Sequence, residues 1–229
     1  MTAIIIIVAL LAALTGYLYW RYIWFFRNPQ RVPPPGTNLV SPADGTVVYV
    51  KRVAPEEEVI TVKEGAPARL TDIVKEDLAV PKLLIGIFMS PFNVHYNRVP
   101  LAGQVEFIRH HPAVAKNHCM AQMHWRTLLK RIPLYKNSPH IAENERTVTR
   151  IAGNFKGTPL SYYVVQIAAK SVNGIDSYCQ VGDRVNKGMI FGMIRIGSQV
   201  DVVVPSISEM YLMVKPGDKV RAGETILIA

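Results

Sequence analysis

The sequence predicts a mainly β fold, a β-sandwich or barrel with one N-terminal transmembrane helix and one or two further helices. Three observations predict it. Short runs rich in β-branched residues recur after residue 36, punctuated by Gly, Pro and Asp at the intervals of an all-β fold. The run Val181-Gly-Asp-Arg-Val-Asn-Lys-Gly188 returns thirty-five positions later as Pro216-Gly-Asp-Lys-Val-Arg-Ala-Gly223. Finally, Ile4 to Trp20 are uncharged and almost wholly apolar, close to the roughly 20 helical residues a bilayer core requires.

The N-terminal run resumes after Arg21 as Tyr22 to Phe26, and Tyr17, Tyr19, Trp20, Tyr22 and Trp24 form an aromatic belt at its end. A cleavable signal would need a basic stretch before Ile4 and a small-residue cleavage site after the apolar run; the sequence has neither. Arg21, Arg27 and Arg31 follow the run and nothing basic precedes it, which places the rest of the chain on the cytoplasmic side of the cell membrane. Residues 1–27 are therefore read as a single-pass anchor. Residues 28–36, with prolines at 29, 33, 34 and 35, cannot continue the helix and are read as a stiff spacer. Residues 37–229 form one domain.

In that domain the strand candidates are Gly45–Val50, Val59–Val62, Leu83–Phe88, Gln104–Ile108, Ser161–Ala168, Met189–Ile194, Val200–Val204 and Met210–Val214. In each copy of the echo, Gly-Asp makes a tight turn and the later Gly ends a short strand. The pattern is similar to the turns of lipoyl- and biotinyl-like barrel-sandwich domains, and Ser41-Pro-Ala-Asp-Gly-Thr46 reads as another such turn.

Formal net charge is +9, which points to an anionic partner. The chain after Gly197 carries three basic and four acidic residues, so the excess lies before it. Much of it falls in 109–150, with Arg109, Lys116, Arg126, Lys130, Arg131, Lys136, Arg146 and Arg150 against Glu143 and Glu145, and five of the six histidines. A helix is expected at 113–130. No aromatic interleaving suits nucleic acid, and no histidine spacing suits a metal. The plain reading is a solvated basic face; the functional one is a face against anionic lipid. Cys119 and Cys179 lack metal or redox spacing and read as reduced thiols.

Gly197-Ser198 lies between two apolar β runs, Phe191–Ile194 and Val200–Val204. A lone Gly-Ser is usually a turn. In this setting it also has the makings of self-processing: the serine hydroxyl can attack the preceding carbonyl, because glycine has no Cβ in the way. Elimination across the serine Cα–Cβ bond would then leave a pyruvoyl ketone at a new N-terminus, which can act as an electron sink for decarboxylation.

The run resembles the pyruvoyl site of phosphatidylserine decarboxylases, in particular their short-chain bacterial and archaeal branch. Four further blocks carry the resemblance in order: Ser41–Thr46, Phe88-Met-Ser-Pro-Phe-Asn-Val-His-Tyr-Asn-Arg-Val-Pro100, Glu143-Asn-Glu-Arg146, and Gly182-Asp-Arg-Val-Asn-Lys-Gly188. It implies cleavage between Gly197 and Ser198 into a β chain 1–197 and an α chain 198–229, a covalent pyruvoyl cofactor from Ser198, and a phospholipid substrate. It implies catalytic roles for Ser198, His95 and Asp44, the histidine as base and proton donor and the carboxylate as its orienter. The long-chain branch carries a second histidine three positions on, where this chain has Arg98. His95 therefore serves both steps, or Asn93 or Arg98 shares them. For the substrate phosphate, Arg98, Arg146 and Arg195 are the candidates. Ether-linked archaetidylserine presents the same headgroup as the diacyl lipid, and a homo-oligomer remains open.

Three rivals compete. A membrane-anchored adaptor with lipoyl-like hairpins needs long heptad helices. A lipoyl carrier needs a lysine at a hairpin tip. A zinc peptidase built on similar turns needs a His-x-His pair. The sequence lacks all three features.

Overall fold

The computed structural model describes residues 1–55, 60–61, 68–69, 79–113, 117–136, 144–169, 174–195 and 198–229, with 60–61 and 68–69 described by backbone alone. Helix α1 (Thr2–Tyr19) runs into a single π-helical turn, Trp20–Trp24. Over Thr2–Trp24 the mean hydropathy is 2.2 and nothing is buried, so this helix has the length and composition to cross a membrane.

The strands follow as β1 (Leu39–Val40), β2 (Gly45–Val53), β3 (Ile60–Thr61), β4 (Ala68–Arg69), β5 (Lys82–Met89), β6 (Tyr96–Arg98) and β7 (Gly103–His111). After α2 (Ala121–Leu128) come β8 (Arg146–Phe155), β9 (Thr158–Ile167), β10 (Ile175–Ser177), β11 (Arg184–Val185), β12 (Ile190–Ile194), β13 (Ser198–Pro205), β14 (Lys219–Val220) and β15 (Ile226–Ile228). Eight of them form one antiparallel sheet in the order β11-β7-β8-β9-β13-β5-β2-β14. The fold is mainly β, as the punctuation of the sequence predicts.

β5 and β13, neighbours inside the sheet, are buried on both faces, which is why Leu83–Met89 and Val202–Val204 read as apolar runs rather than alternating ones, while β13 also buries Ser198, Gln199 and Asp201. On one face pack Val47, Ile85, Ile87, Ile151, Tyr162, Val200 and Val202; on the other pack Val48, Leu84, Phe88, Val148, Tyr163 and Val203, covered by Met120, Met123 and Leu134 from around α2. Each such side chain withdrawn from water contributes about 1.5–3 kcal/mol.

The internal echo is a structural duplication. In one copy Gln180 N–H donates to Asp183 Oδ2 (2.8 Å); in the other Lys215 N–H donates to Asp218 Oδ2 (2.9 Å). Gly182 and Gly217 sit at φ 94° and 99°, Gly188 and Gly223 at 80° and 76°, all conformations that glycine adopts without strain. Gly182 N–H bonds Val105 O, and Gly217 N–H bonds Val47 O, each at 2.8 Å. The duplication reaches further than the echo: β2 and β7 start alike, at Gly45 and Gly103, where an added Cβ would come within 2.2 Å of a neighbouring carbonyl oxygen in both cases. Val40 N–H donates to Pro100 O while Arg98 N–H donates to Pro42 O, so the two turns clasp one another reciprocally. Asp44 and Ala102 are thus equivalent positions, and only one of them carries a carboxylate.

Four expectations need amending. Residues 28–36, expected as a stiff spacer, are also packed onto the domain: Arg31 pairs with Asp44 and Glu224, Lys187 Nζ bonds Gly36 O, and Pro33 lies against Gly188. Met210–Val214 is not a strand; Leu212 alone bridges to Ile228, because its partner β15 is only three residues long. Of the helix expected at 113–130, the described residues show 121–128 as helix, and Asn117 and His118 are tied to the Asn144–Glu145 backbone and side chain instead, while 114–116 lie outside the described set. Arg146 and Arg150, counted with the basic face of 109–150, belong to a ten-residue strand, Arg146–Phe155, whose Thr147, Val148 and Thr149 are all buried. Of Val59–Val62, Ile60–Thr61 is a strand and the flanking residues lie outside the described set. Both cysteines are free, Cys179 buried and Cys119 exposed.

Candidate active site

Ser198 opens β13 opposite Met89, the last residue of β5, and is fully buried on the sheet face that holds Val200 and Val202. Its Oγ donates to Met89 Sδ at 3.6 Å, and Asn97 Nδ2 donates to the same sulfur at 3.6 Å. A thioether is a weak acceptor, so the serine hydroxyl is held without being spent in a strong hydrogen bond. Gln166 Nε2 in turn donates to Asn97 Oδ1 (2.8 Å), while Gln166 Oε1 is buried with no partner among the described residues. Gly192 makes room for this amide, since a Cβ there would lie 3.0 Å from Gln166 Nε2 and 2.6 Å from Asp176 O. Gly197 itself lies outside the described residues.

His95 leaves the β5–β6 loop, which is closed by Asn93 Oδ1 accepting from both Ser90 N–H and Ser90 Oγ at 2.8 Å. Its Nδ1 meets Asn93 O at 2.9 Å. A carbonyl only accepts, so Nδ1 carries the proton and Nε2 the lone pair. That Nε2 is buried and without a partner among the described residues. The Phe25 ring from the end of the anchor covers the imidazole at 4.2 Å between centroids. Burial lowers the His95 pKa to about 4; the Asn93 carbonyl opposes the shift and Arg27 adds to it. This is a neutral imidazole with its basic nitrogen free.

Asp44 caps the turn before β2. Its Oδ1 accepts the Ala222 N–H (2.8 Å), and both oxygens meet Arg31 Nη2 at 3.1 and 2.9 Å. Arg98 lies in the same cluster, giving Nη1 to Gly188 O (2.8 Å) and Nη2 to Asn28 Oδ1 (2.7 Å); burial lowers its pKa, and Arg31 adds to the shift. The structure thus brings Asp44 and Arg98 together at the clasp of the two turns. It joins neither to His95 or Ser198 by a hydrogen bond; the connection to His95 is the field of Arg27, which feels Asp44 as well. Arg195 is held by Asp176 at 3.1 Å on the surface. Arg146 begins β8 opposite Ile167, which in turn faces Gln199, two strands away from the serine's neighbour.

The sequence profile described as phosphatidylserine decarboxylase matches residues 18–228. The chain belongs to the phosphatidylserine decarboxylase family. It is similar to a phosphatidylserine decarboxylase proenzyme of Pelobacter propionicus, 34% identical over 94% of this chain and 80% of the relative. A protein of Methanopyrus kandleri, provisionally named an archaetidylserine decarboxylase proenzyme, is 37% identical over 90% of this chain and 80% of its own length. A Trichlorobacter lovleyi phosphatidylserine decarboxylase proenzyme is 36% identical over 95% and 80%.

Residue patterns alone do not single out Met89, Asn97, Gln166 or Phe25. Met89 and Asn97 stand inside the Phe88–Pro100 block, but nothing in their types marks them as neighbours of Ser198. Gln166 had a readable signal, an amide in the otherwise apolar run Tyr163–Ile167, which the structure buries completely. Phe25 carried none, because an aromatic at the end of an apolar segment reads as part of a membrane belt.

Proposed function

We propose that this chain is a pyruvoyl-dependent phosphatidylserine decarboxylase that cuts itself between Gly197 and Ser198. The observation that best supports the reading is the buried Ser198 hydroxyl, weakly held against Met89 in a member of this family. Its Oγ attacks the Gly197 carbonyl; the peptide C–N bond breaks as the ester forms. A base removes the Ser198 Cα proton, and the C–O bond breaks to give the Gly197 carboxylate and a dehydroalanine. Water then releases ammonia and leaves the ketone on the α chain 198–229, with 1–197 as the β chain. His95 Nε2, neutral and unpartnered, has the right protonation state for the base.

The residues around position 198 suit a ketone: Asn97 supplies an amide N–H now directed at a sulfur, and Gln166 an amide that braces it. Once bound to the substrate amine, that ketone supplies the electron sink for loss of carbon dioxide. His95 then returns a proton to the substrate carbon. Asp44 acts on this centre by fixing Arg31 and the Ala222 turn and through the charge balance with Arg27. Arg98, with only a buried Nε–H unused, and Arg195 are engaged with protein groups, whereas Arg146 has no described side-chain contact to break.

Residues 1–27 anchor the enzyme with its body on the cytoplasmic side, and the basic stretch of 109–150, apart from the strand residues Arg146 and Arg150, faces anionic lipid. The Methanopyrus likeness favours a second reading in which the tails are ether-linked and the headgroup chemistry is unchanged. The test is release of labelled carbon dioxide from serine-carboxyl-labelled phosphatidylserine and archaetidylserine by the full chain in nanodiscs. Release by the wild type and none by Ser198→Ala is expected; no release from either lipid, or equal release by Ser198→Ala, overturns the proposal.

A further inference from the structure

Three buried polar atoms without a partner among the described residues are carried by side chains that surround one ring. They are Trp20 Nε1, Arg21 Nη1 and His95 Nε2. Phe25 stands between them: its ring lies 4.2 Å from the His95 ring and 6.3 Å from Trp20, and Arg21 Cζ sits 5.7 Å from its centroid. Buried polar groups are almost always paired, so three orphans in one place call for a common occupant. Their chemistry is sorted. The indole N–H and the guanidinium can only donate, and the imidazole Nε2 can only accept.

The loop that carries His95 is fastened to this end of the anchor. Arg27 donates from Nη1 to Trp24 O and from Nη2 to Phe92 O, and the Trp20 and Phe92 rings approach at 6.3 Å. The neighbouring arginines are committed: Arg31 to Asp44 and Glu224, Arg98 to Gly188 and Asn28. Arg31 and Arg98 each keep a buried Nε–H without a described partner, but among the three side chains around the Phe25 ring the cation with a left-over N–H is Arg21, at Nη1. Beside it Tyr22, Ile23, Trp24 and Phe26 are exposed, an apolar border where acyl or ether tails can lie.

We infer that Trp20 and Arg21 form the phosphate subsite for the lipid headgroup, so that the anchor builds part of the active site as well as holding it at the membrane. The inference rests on the decarboxylase reading for its substrate. Two donors receive the phosphodiester, and the serine end of the headgroup reaches past Phe25 to His95, whose lone pair accepts from it. An inorganic phosphate satisfies the donors but offers nothing built to reach the imidazole. Trp20 and Arg21 are positioning residues in this arrangement, since they touch substrate remote from the bonds that change.

The experiment uses the processed full chain in nanodiscs, with water-soluble glycerophosphoserine as substrate alongside phosphatidylserine. Losing a charge-assisted contact to phosphate corresponds to a rise of about tenfold to a hundredfold in KM for Arg21→Gln on both substrates, with kcat nearly unchanged. Trp20→Phe, which keeps the ring and loses only the N–H, raises KM about threefold to tenfold, and Arg21→Lys restores part of the loss. Calorimetric dissociation constants for the non-reactive glycerophosphoethanolamine move by the same factors. An unchanged KM for glycerophosphoserine overturns the inference even where phosphatidylserine turnover falls, because that pattern belongs to a residue that merely seats the anchor. Inorganic phosphate binding as tightly as glycerophosphoethanolamine overturns it too. Should Arg21→Gln fail to fold, Trp20→Phe decides. A wild type that releases no carbon dioxide removes the decarboxylase reading instead, and the subsite then stands or falls on the calorimetric constants.

Discussion

Self-cleavage should persist to a pH far below the usual histidine range. Burial strips water from the His95 imidazole and lowers its pKa from 6.5 to about 4, the Asn93 carbonyl opposing and Arg27 adding to the shift. At pH 5.5 a group titrating at about 6.5 is roughly nine-tenths protonated, and one titrating at about 4 only about 3% protonated. The supply of basic Nε2 at that pH therefore differs about tenfold between a buried and a solvated His95. Precursor made in a cell-free system and jumped to buffers between pH 8 and 4.5 gives the rate directly from the growth of the short chain on gels. A rate flat to about pH 5 is predicted; a half-maximal rate near pH 6.5 refutes the reasoning. The same shift sets stability. With the folded pKa below the unfolded one, the folded state binds fewer protons between pH 6.5 and about 4, so stability falls as pH drops through that window. The full loss is about 3 kcal/mol. It is read as the difference between Ser198→Ala and Ser198→Ala/His95→Asn in urea unfolding, since neither can process.

Asp201 gives the opposite slope: burial raises its pKa to about 7 against the hydrogen bonds from Tyr49 and Gln199, so its folded state is favoured at low pH and loses stability as pH rises through 3.8 to 7. Asp201→Asn in the Ser198→Ala background should therefore gain stability relative to its parent as pH rises through that range, read as a growing difference between the two urea midpoints, the His95 contribution being common to both. Gly103→Ala places a Cβ 2.2 Å from Ala152 O and should cost at least about 2 kcal/mol, measured as a lowered thermal midpoint. Arg31→Met leaves Asp44 and Glu224 facing one another with the main cation gone; a loss of about 3 kcal/mol is expected in urea unfolding, and Arg31→Lys should not restore the two-sided contact.

The fold was legible where chemistry repeats or where a strand is apolar throughout. The Gly-Asp turns announced the duplication because a positive φ and an aspartate cap are written in residue types, and Gly182 and Gly217 adopt nearly the same conformation. Strand β8 was hidden by its arginines and threonines: Arg146 and Arg150 alternate with the buried Thr147 and Thr149, which bury a hydroxyl by pairing in a sheet that local sequence does not reveal. Of the proposed site, Ser198 and His95 were legible, since these carry distinctive functional groups. Its surroundings were not. Phe25 reaches His95 from seventy positions away, and Trp20 and Arg21 look like any membrane border until the tertiary structure folds the anchor's end back over the loop. Asp44 shows the converse: it is where the sequence directs attention, yet its hydrogen bonds go to Arg31 and Ala222.

The central claim is that Ser198 becomes the cofactor, and an intact-mass spectrum of the purified chain under denaturing conditions tests it most directly. The account predicts two chains, the smaller beginning at position 198 and lighter by one ammonia than a serine-ended fragment, with Ser198→Ala remaining whole. A folded wild type found as a single uncut chain, or a Ser198→Ala variant that is cut at the same place, contradicts it.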